Sequence, residues 1–559
     1  MTRAALSILT VMVSTTSALL AQDLNAPPVT TFKPDTSLPK VSLPEFVITG
    51  RSQMELPRTD KPGVAIDSSY FQNKELQSGD NGVPLERSLT AEDVGYPEGL
   101  TSLFAHASYG HYTTADYLLS AGGALQGYLM NASIGGNYTS GFIPLTMGRD
   151  FSTGAGVSKD LVSDATMKWS STFDVGYARS SYYLYGDPLP NLLRMTNRYH
   201  VGLNSDLEIG PTPLQFNLGY ERYSISDLWE GVEGTAKVQL ATRISISSGD
   251  IRLGLDYLGS THSLAPAASA PAIYYTPFTT TGIIDRLPYY LHIGGSYDNG
   301  IGNLSYSLAI GYFQYTDDST SGISKLYPDL KIIYRFGDSV SVFARFFGRI
   351  DQADMQSFVS TDRFVNGYIP LENAQRFADF TVGSTISLIR NVTLIPQFNL
   401  KSEKYLPVFA SVPSYNNVLV YAKRATVYKI SLESKYSENN LSAGLVLEYQ
   451  KGTADSLGNI PNLPPFLAAL DGLYRFTPDL ALSGNFTFLS KRYTDLALTQ
   501  QVGTASILDM RFSYTLGISG IPFEFFVEGK NLFNQKYYIW QNYQEFPLSL
   551  FIGLNCRIR

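Results

Sequence analysis

One feature limits what this chain can become more than any other: apolar and polar residues alternate with period two from about Thr101 to the C-terminal residue. In one segment Ala236, Val238, Leu240, Ile244 and Ile246 share a face, and Lys237, Gln239, Arg243 and Ser245 share the other. Val340, Val342, Ala344, Phe346 and Ile350 likewise oppose Ser339, Ser341, Arg345 and Arg349. Tyr428, Ile430 and Leu432 oppose Lys429, Ser431, Glu433 and Lys435, and Leu214, Phe216, Leu218 and Tyr220 oppose Gln215, Asn217, Gly219 and Glu221. Successive side chains of a strand point to opposite faces, so each segment has one apolar and one wet face.

Two environments satisfy such strands. A soluble sheet turns its apolar face to a protein core, whereas a transmembrane barrel turns it to lipid and encloses water with the other. The pattern runs for about 450 residues without a helical interlude, too long for one sandwich. Many segments reach the roughly 9–11 residues that a membrane-crossing strand needs, against about 5–6 in soluble proteins. Aromatic residues gather near segment ends, as at Tyr182, Tyr183 and Tyr185 and at Tyr537, Tyr538 and Trp540, where an interface would hold them. Composition agrees: 38 Tyr and 31 Phe accompany only 16% charged residues, well under the roughly 25% of soluble domains. The expected fold class is all-β, a transmembrane antiparallel outer-membrane β-barrel of about 22 strands, with even numbers from about 16 to 22 allowed. Lipid cannot satisfy an open sheet edge, so the sheet must close. Gly337-Asp338 and Ser437-Glu438-Asn439-Asn440 read as short periplasmic turns, and inserts near 183–194, 261–286, 351–374 and 403–420 as extracellular loops.

Ahead of the barrel lie two further parts. Arg3 followed by the apolar stretch Ala4 to Leu20 reads as a secretory signal peptide over residues 1–21. Residues 22–100, with Pro27, Pro28, Pro34, Pro39 and Pro44, read as an extended linker, and residues 101–559 as the barrel. Beyond the signal no apolar run approaches the roughly 18 residues of a membrane-spanning helix.

Several function classes fall away. A formal net charge of −7 offers no basic surface for nucleic acid. His106, His111, His200, His262 and His292 show no zinc-ligand spacing, and no phosphate loop, dinucleotide fingerprint or nucleophile elbow occurs, so no catalytic residue, metal or cofactor is expected. His200 alternates onto the polar face with Asn204, Asp206 and Glu208, a lumen position. The residues expected to line the pore are Lys237, Arg243, Arg345, Arg349, Lys429, Glu433 and Lys435, with Glu208, Glu221 and Glu448 as acidic counterparts. They set the field that a passing solute feels, or pair with one another and keep the lumen wet.

The string Glu528-Gly529-Lys530-Asn531-Leu532-Phe533-Asn534-Gln535-Lys536-Tyr537 resembles the final hairpin of TonB-dependent outer-membrane receptors, in which an Asn-Leu-Phe turn precedes a Tyr. The end of the chain is similar to the terminal strand by which such barrels are recognised for assembly, a signal carried here by Gly553, Cys556 and Ile558. Cys556 stands where a larger apolar residue is usual, and Arg559 follows where an aromatic normally finishes. Glu45-Phe46-Val47-Ile48-Thr49-Gly50-Arg51 is similar to the segment near which the periplasmic TonB protein grips these receptors. Glu45, Phe46, Val47, Ile48 and Thr49 are then the candidate TonB contacts, adding to a partner's sheet edge through backbone hydrogen bonds; a local strand packed in the lumen is the alternative. The family's plug domain is much longer than residues 52–100, so the resemblance implies a plug that is missing or reduced. It implies uptake of a small nutrient or metal chelate, with outer-membrane lipid, the barrel assembly machinery and TonB as partners. A plugless passive porin and a structural barrel whose lumen a partner protein fills are the other readings.

Overall fold

The computed structural model describes residues 99–142, 145–164, 166–186, 192–267, 283–319, 322–337, 339–389, 391–412, 415–455 and 458–558. Residues 1–98, which hold the expected signal peptide, all but the last two residues of the expected linker and the candidate TonB contacts Glu45, Phe46, Val47, Ile48 and Thr49, lie outside the described residues. Gly99 and Leu100, at the linker's expected end, already belong to the first strand.

Twenty-two long strands follow one another around a single antiparallel barrel. Their lengths run from 10 residues, as in Leu480–Leu489, to 18, as in Trp229–Ile246, long enough to cross a membrane and project beyond it. Two short pieces, Ile284–Arg286 and Gly458–Asn459, add to the same sheet from within loops. The first strand, Gly99–Gly110, pairs on one side with Thr114–Leu125 and on the other with the last strand, Ser549–Ile558. That second pairing runs from Leu103 opposite Ile558 to Gly110 opposite Phe551 and closes the sheet. Closure leaves no row of unpaired amides facing hydrocarbon.

The alternation sorts the side chains as the sequence implies. Ile430 is 53% exposed on the outer surface, whereas the side chain of its neighbour Lys429 is 15% exposed and reaches Glu448 inside. Leu326, Leu330, Ile332 and Tyr334 repeat the outward pattern, as do Leu214, Leu218 and Tyr220. His200 faces inward as expected, its Nε2 3.0 Å from Asp174. At one end of the barrel the connections are tight. Asn439 and Asn440 join Ala425–Glu438 to Leu441–Ala454, and Gly337, with φ of 66°, opens the turn between Ile323–Phe336 and Val340–Asp351.

At the opposite end the long connections pack together. Tyr182, Leu184 and Tyr185, then Met355, Phe358, Phe364, Val365, Ile369 and Leu371, then Phe409 and Leu419, and finally Trp540 and Tyr543 form one buried cluster. These residues come from loops spaced around the whole ring, so the loops meet across the mouth. The Phe364 and Tyr543 rings stack with centroids 3.7 Å apart, and the Tyr182 hydroxyl donates to the Arg363 carbonyl at 2.8 Å. Each large apolar side chain buried there contributes about 1.5–3 kcal/mol, and this holds the loops over the opening.

Two expectations need correction. Tyr182, Tyr185 and Trp540 are not a lipid-interface belt: all three are buried in the loop core, because the strands that carry them end in loops that fold inward. Ile350 does not continue the outward face of Phe346. The ladder shifts register between Phe347 and Arg349, and Ile350 packs with Phe313, Tyr315 and Tyr327.

Candidate functional site

Directly beneath the loop core the lumen widens into a chamber of about 790 Å³. Its roof comes from the loops, with Ala353, Asp354, Ser357, Phe358, Leu406 and Pro407 on the surface. The barrel wall supplies the charged lining: Lys237, Arg252, Asp256, His292, Asp329, Arg345, Arg349 and Asp351. All of these are inward positions of neighbouring strands, so register places them side by side.

Part of the wall carries almost no side chain. Ala241, Gly254, Gly294 and Gly311 lie opposite one another across four consecutive strands and all line the chamber. At Gly311 a Cβ would approach His292 Nε2 at 2.9 Å and the Phe313 ring at 2.8 Å. Glycine there lets the His292 and Phe313 rings stack, 4.4 Å apart and 17° from parallel, against the wall. His292 Nδ1 lies 3.0 Å from Asp256, which also accepts from Gln239 at 2.7 Å.

The strongest electrostatic feature is a buried cluster at the chamber's edge. Arg376 Nε donates to Glu403 at 2.9 Å, Nη1 to Asp379 at 3.1 Å and Nη2 to Asp351 at 2.8 Å. Arg349 joins through Asp351 at 2.6 Å, and Lys401 through Glu403 at 3.1 Å. Three cations therefore meet three carboxylates, which is what makes their burial tolerable. Asp351 ends one strand and Glu403 nearly ends another, so the cluster ties together the roots of the two loops that carry Phe358 and Phe409. Beside it Arg345 grips both oxygens of Asp329, at 2.9 and 2.6 Å, in the paired geometry that suits a guanidinium. Arg345, Arg349 and Arg376 all stand over the Phe347 ring, the first at 4.3 Å.

Carboxylates also secure the roof. Asp354 caps the short helix Met355–Thr361 by accepting from Ser357 N at 2.6 Å, and Glu233 of the wall accepts from Met355 N at 2.7 Å. Asp362 accepts from Phe364 N at 2.9 Å and Asn417 Nδ2 at 2.7 Å, joining two loops. Burial pushes the Asp354 carboxyl up to about 6, with the like charge of Glu221 adding to it. Burial likewise pushes Asp362 up to about 7, against the opposing pull of its two donors and of Arg194. Arg194 is itself fully buried, paired with Asp227 at 2.6 Å and donating to the Arg363 carbonyl at 2.9 Å.

Of the residues expected to line the pore, the structure brings Lys237, Arg345 and Arg349 together in the chamber wall. Arg243, paired with Asp250 at 2.5 Å, and Lys429, Glu433 and Lys435 lie elsewhere on the inner wall. Lys429 pairs with Glu448 at 3.3 Å and Lys435 with Glu433 at 2.9 Å. Asp351, Arg376 and Glu403 are not distinguished by the sequence pattern, which carries their inward parity but not the register that joins three strands. At the seam, Gly553 faces the Phe526 ring, Ile558 pairs with Leu103, and Cys556 is half-buried opposite Ala105 and Phe523. Asn531 and Asn534 adopt left-handed φ of 48° and 49°, and the Asn531 amide donates to the carbonyls of Gln535 and Phe546, so the Asn-Leu-Phe string is a turn.

No family model and no curated protein sequence matches the chain. Solved structures do. The chain is similar to the FrpB iron transporter from Neisseria meningitidis (F3-3 variant), with a TM-score of 0.63 at 12% identity, covering 84% of this chain and 83% of that one. It is similar to the ferripyoverdine receptor of the outer membrane of Pseudomonas aeruginosa, with a TM-score of 0.63 at 11% identity over 83% and 72% of the two chains. BauA, the ferric preacinetobactin receptor from Acinetobacter baumannii, gives 0.61 at 10% identity over 83% and 80%. At such identities the likeness speaks to the fold alone: the protein shares the barrel architecture of these structures.

Proposed function

We propose that the protein is an outer-membrane barrel that moves a small solute inward, with the packed loops as its outer gate and the chamber beneath them as the solute's station. The observation that carries this reading is the loop core, which draws side chains from opposite sides of the ring over a chamber lined with charge. A barrel of this strand number with its mouth uncovered is a wide aqueous hole, and the loop core argues against the open passive porin. The iron transporter and siderophore receptors that share the fold support a role in uptake of a small nutrient or metal chelate. In this reading the lipid of the outer membrane surrounds the outward face, the barrel assembly machinery inserts the chain, and TonB supplies energy through Glu45 to Thr49.

Planar-bilayer conductance tests the gate. The intact protein is expected to pass almost no steady current, and the double substitution Phe364→Ser and Tyr543→Ser, which breaks the central ring stack, to open large conductances. A large steady current from the intact protein would instead establish a passive pore. Deletion of residues 44–50 tests the energy source, since uptake that persists undiminished removes TonB from the account.

A further inference from the structure

We propose that the chamber takes a small anionic solute, one bearing a carboxylate or phosphate, on Lys237 and Arg349. This deepens the transport reading and rests on it for its physiological role, though not for its test.

The argument is one of available valence. The wall carboxylates of the chamber are already engaged: Asp256 by His292 and Gln239, Asp329 by both arms of Arg345, Asp351 by Arg349 and Arg376, and Glu403 by Arg376 and Lys401. At Asp329, Asp351 or Glu403 an arriving cation has to displace a guanidinium or ammonium, and a buried cation left without a partner is costly. At Asp256 it has to displace the His292 and Gln239 donors, and burial of the roof carboxylates Asp354 and Glu372 disfavours their charged forms. The cations are in a different position. The ammonium of Lys237 makes no ion pair among the described residues, and Lys237 is exposed to the chamber. Arg349 has Asp351 as its carboxylate partner, but Asp351 keeps Arg376 at 2.8 Å if Arg349 turns away. An anion can therefore take Arg349 without stranding a carboxylate. Arg252, held by a single contact to Asp298 at 3.3 Å, is a further cation of the lining with little to hold it.

Shape agrees. A volume of about 790 Å³ lies within the roughly 300–1,000 Å³ of small-molecule sites. The bare stretch at Ala241, Gly254 and Gly294 leaves room for the solute's body beside the charged groups.

The test is calorimetric titration of citrate and of inorganic phosphate into the detergent-solubilised full chain, with spermidine as the cationic control. At least one anion is expected to bind and spermidine not to. Lys237→Met and Arg349→Met are each expected to weaken anion binding about tenfold, the loss of one charge-assisted hydrogen bond. Arg349→Lys should restore part of it, and Lys435→Met, on the inner wall outside the chamber, should leave it unchanged. Heat-modifiable gel migration verifies that each variant is folded. Spermidine binding in place of the anions, no heat from either anion, or anion binding that survives both methionine variants would each overturn the proposal. Anion binding without solute flux in reconstituted vesicles would keep this site and remove the transport reading instead.

Discussion

Asp362 shows how much one buried side chain decides at the gate. It is fully buried, it joins the loop of the helix to the hairpin carrying Asn417, and its carboxyl titrates near 7 rather than near its ordinary value of 3.8. The docked loops thus bind its proton more tightly than released loops do. Linkage then fixes the sign: the docked state is favoured most below about pH 4, loses ground as pH rises towards about 7, and loses no more above that. Asp354, raised to about 6 by burial, works in the same direction. Limited proteolysis of the loops in detergent-solubilised protein should therefore be slower at pH 5 than at pH 8. Asp362→Asn should lower the pH dependence by removing one of these contributors; equal cleavage of the parent protein at both pH values would show that these carboxyls do not load the gate.

At the scale of elements, the strands were legible because facing lipid or lumen is a local property written every second residue. Ile430 and Ser431 make the point testable. Ile430 faces outward near the middle of Ala425–Glu438, and Ser431 faces inward opposite Glu448 and Gln397. Arginine at position 430 should destabilise the barrel by about 2–4 kcal/mol, and arginine at 431, with a carboxylate across the strand, by much less. Denaturant titration of the two variants in lipid checks this, and equal losses would mean that the faces are misassigned. The gate was not legible in the same way, since it depends on loops far apart in sequence meeting over the axis. A signal was nonetheless present. A solvated loop has no use for Met355, Phe358, Val359, Phe364, Val365 and Ile369 within so few residues, and that density of apolar side chains implies a core of its own. The aromatic clusters at Tyr182 and Trp540 are plain in the sequence but do not say where they lie, because a buried loop core and an interfacial belt leave the same mark in composition.

The whole molecule depends on one event, the meeting of its first and last strands. A polar chain marks that seam on the inside: His106 Nδ1 lies 2.6 Å from Asn555 Oδ1, Asn555 Nδ2 donates to Glu524 at 3.0 Å, and Arg511 pairs with Glu524 at 2.9 Å. Phe526 lies against the same seam, with Arg511 over its face at 3.6 Å and His106 stacked 5.7 Å away. Gly553 lets this ring fit: a Cβ there would lie 2.2 Å from the Phe526 ring and 2.8 Å from the Ala107 carbonyl, and the backbone oxygen cannot move aside without breaking the closing ladder. Cys556 has the opposite character. It is half-buried on the outward face in line with Ile552 and Leu554, where extra apolar volume meets lipid and not neighbouring backbone. Gly553→Val should accordingly cut the fraction that runs as folded barrel on an unboiled gel, whereas Cys556→Phe should leave that fraction unchanged or raise it. If both substitutions behave alike, steric fit at the seam does not govern closure, and the terminal residues act only as a recognition sequence for assembly.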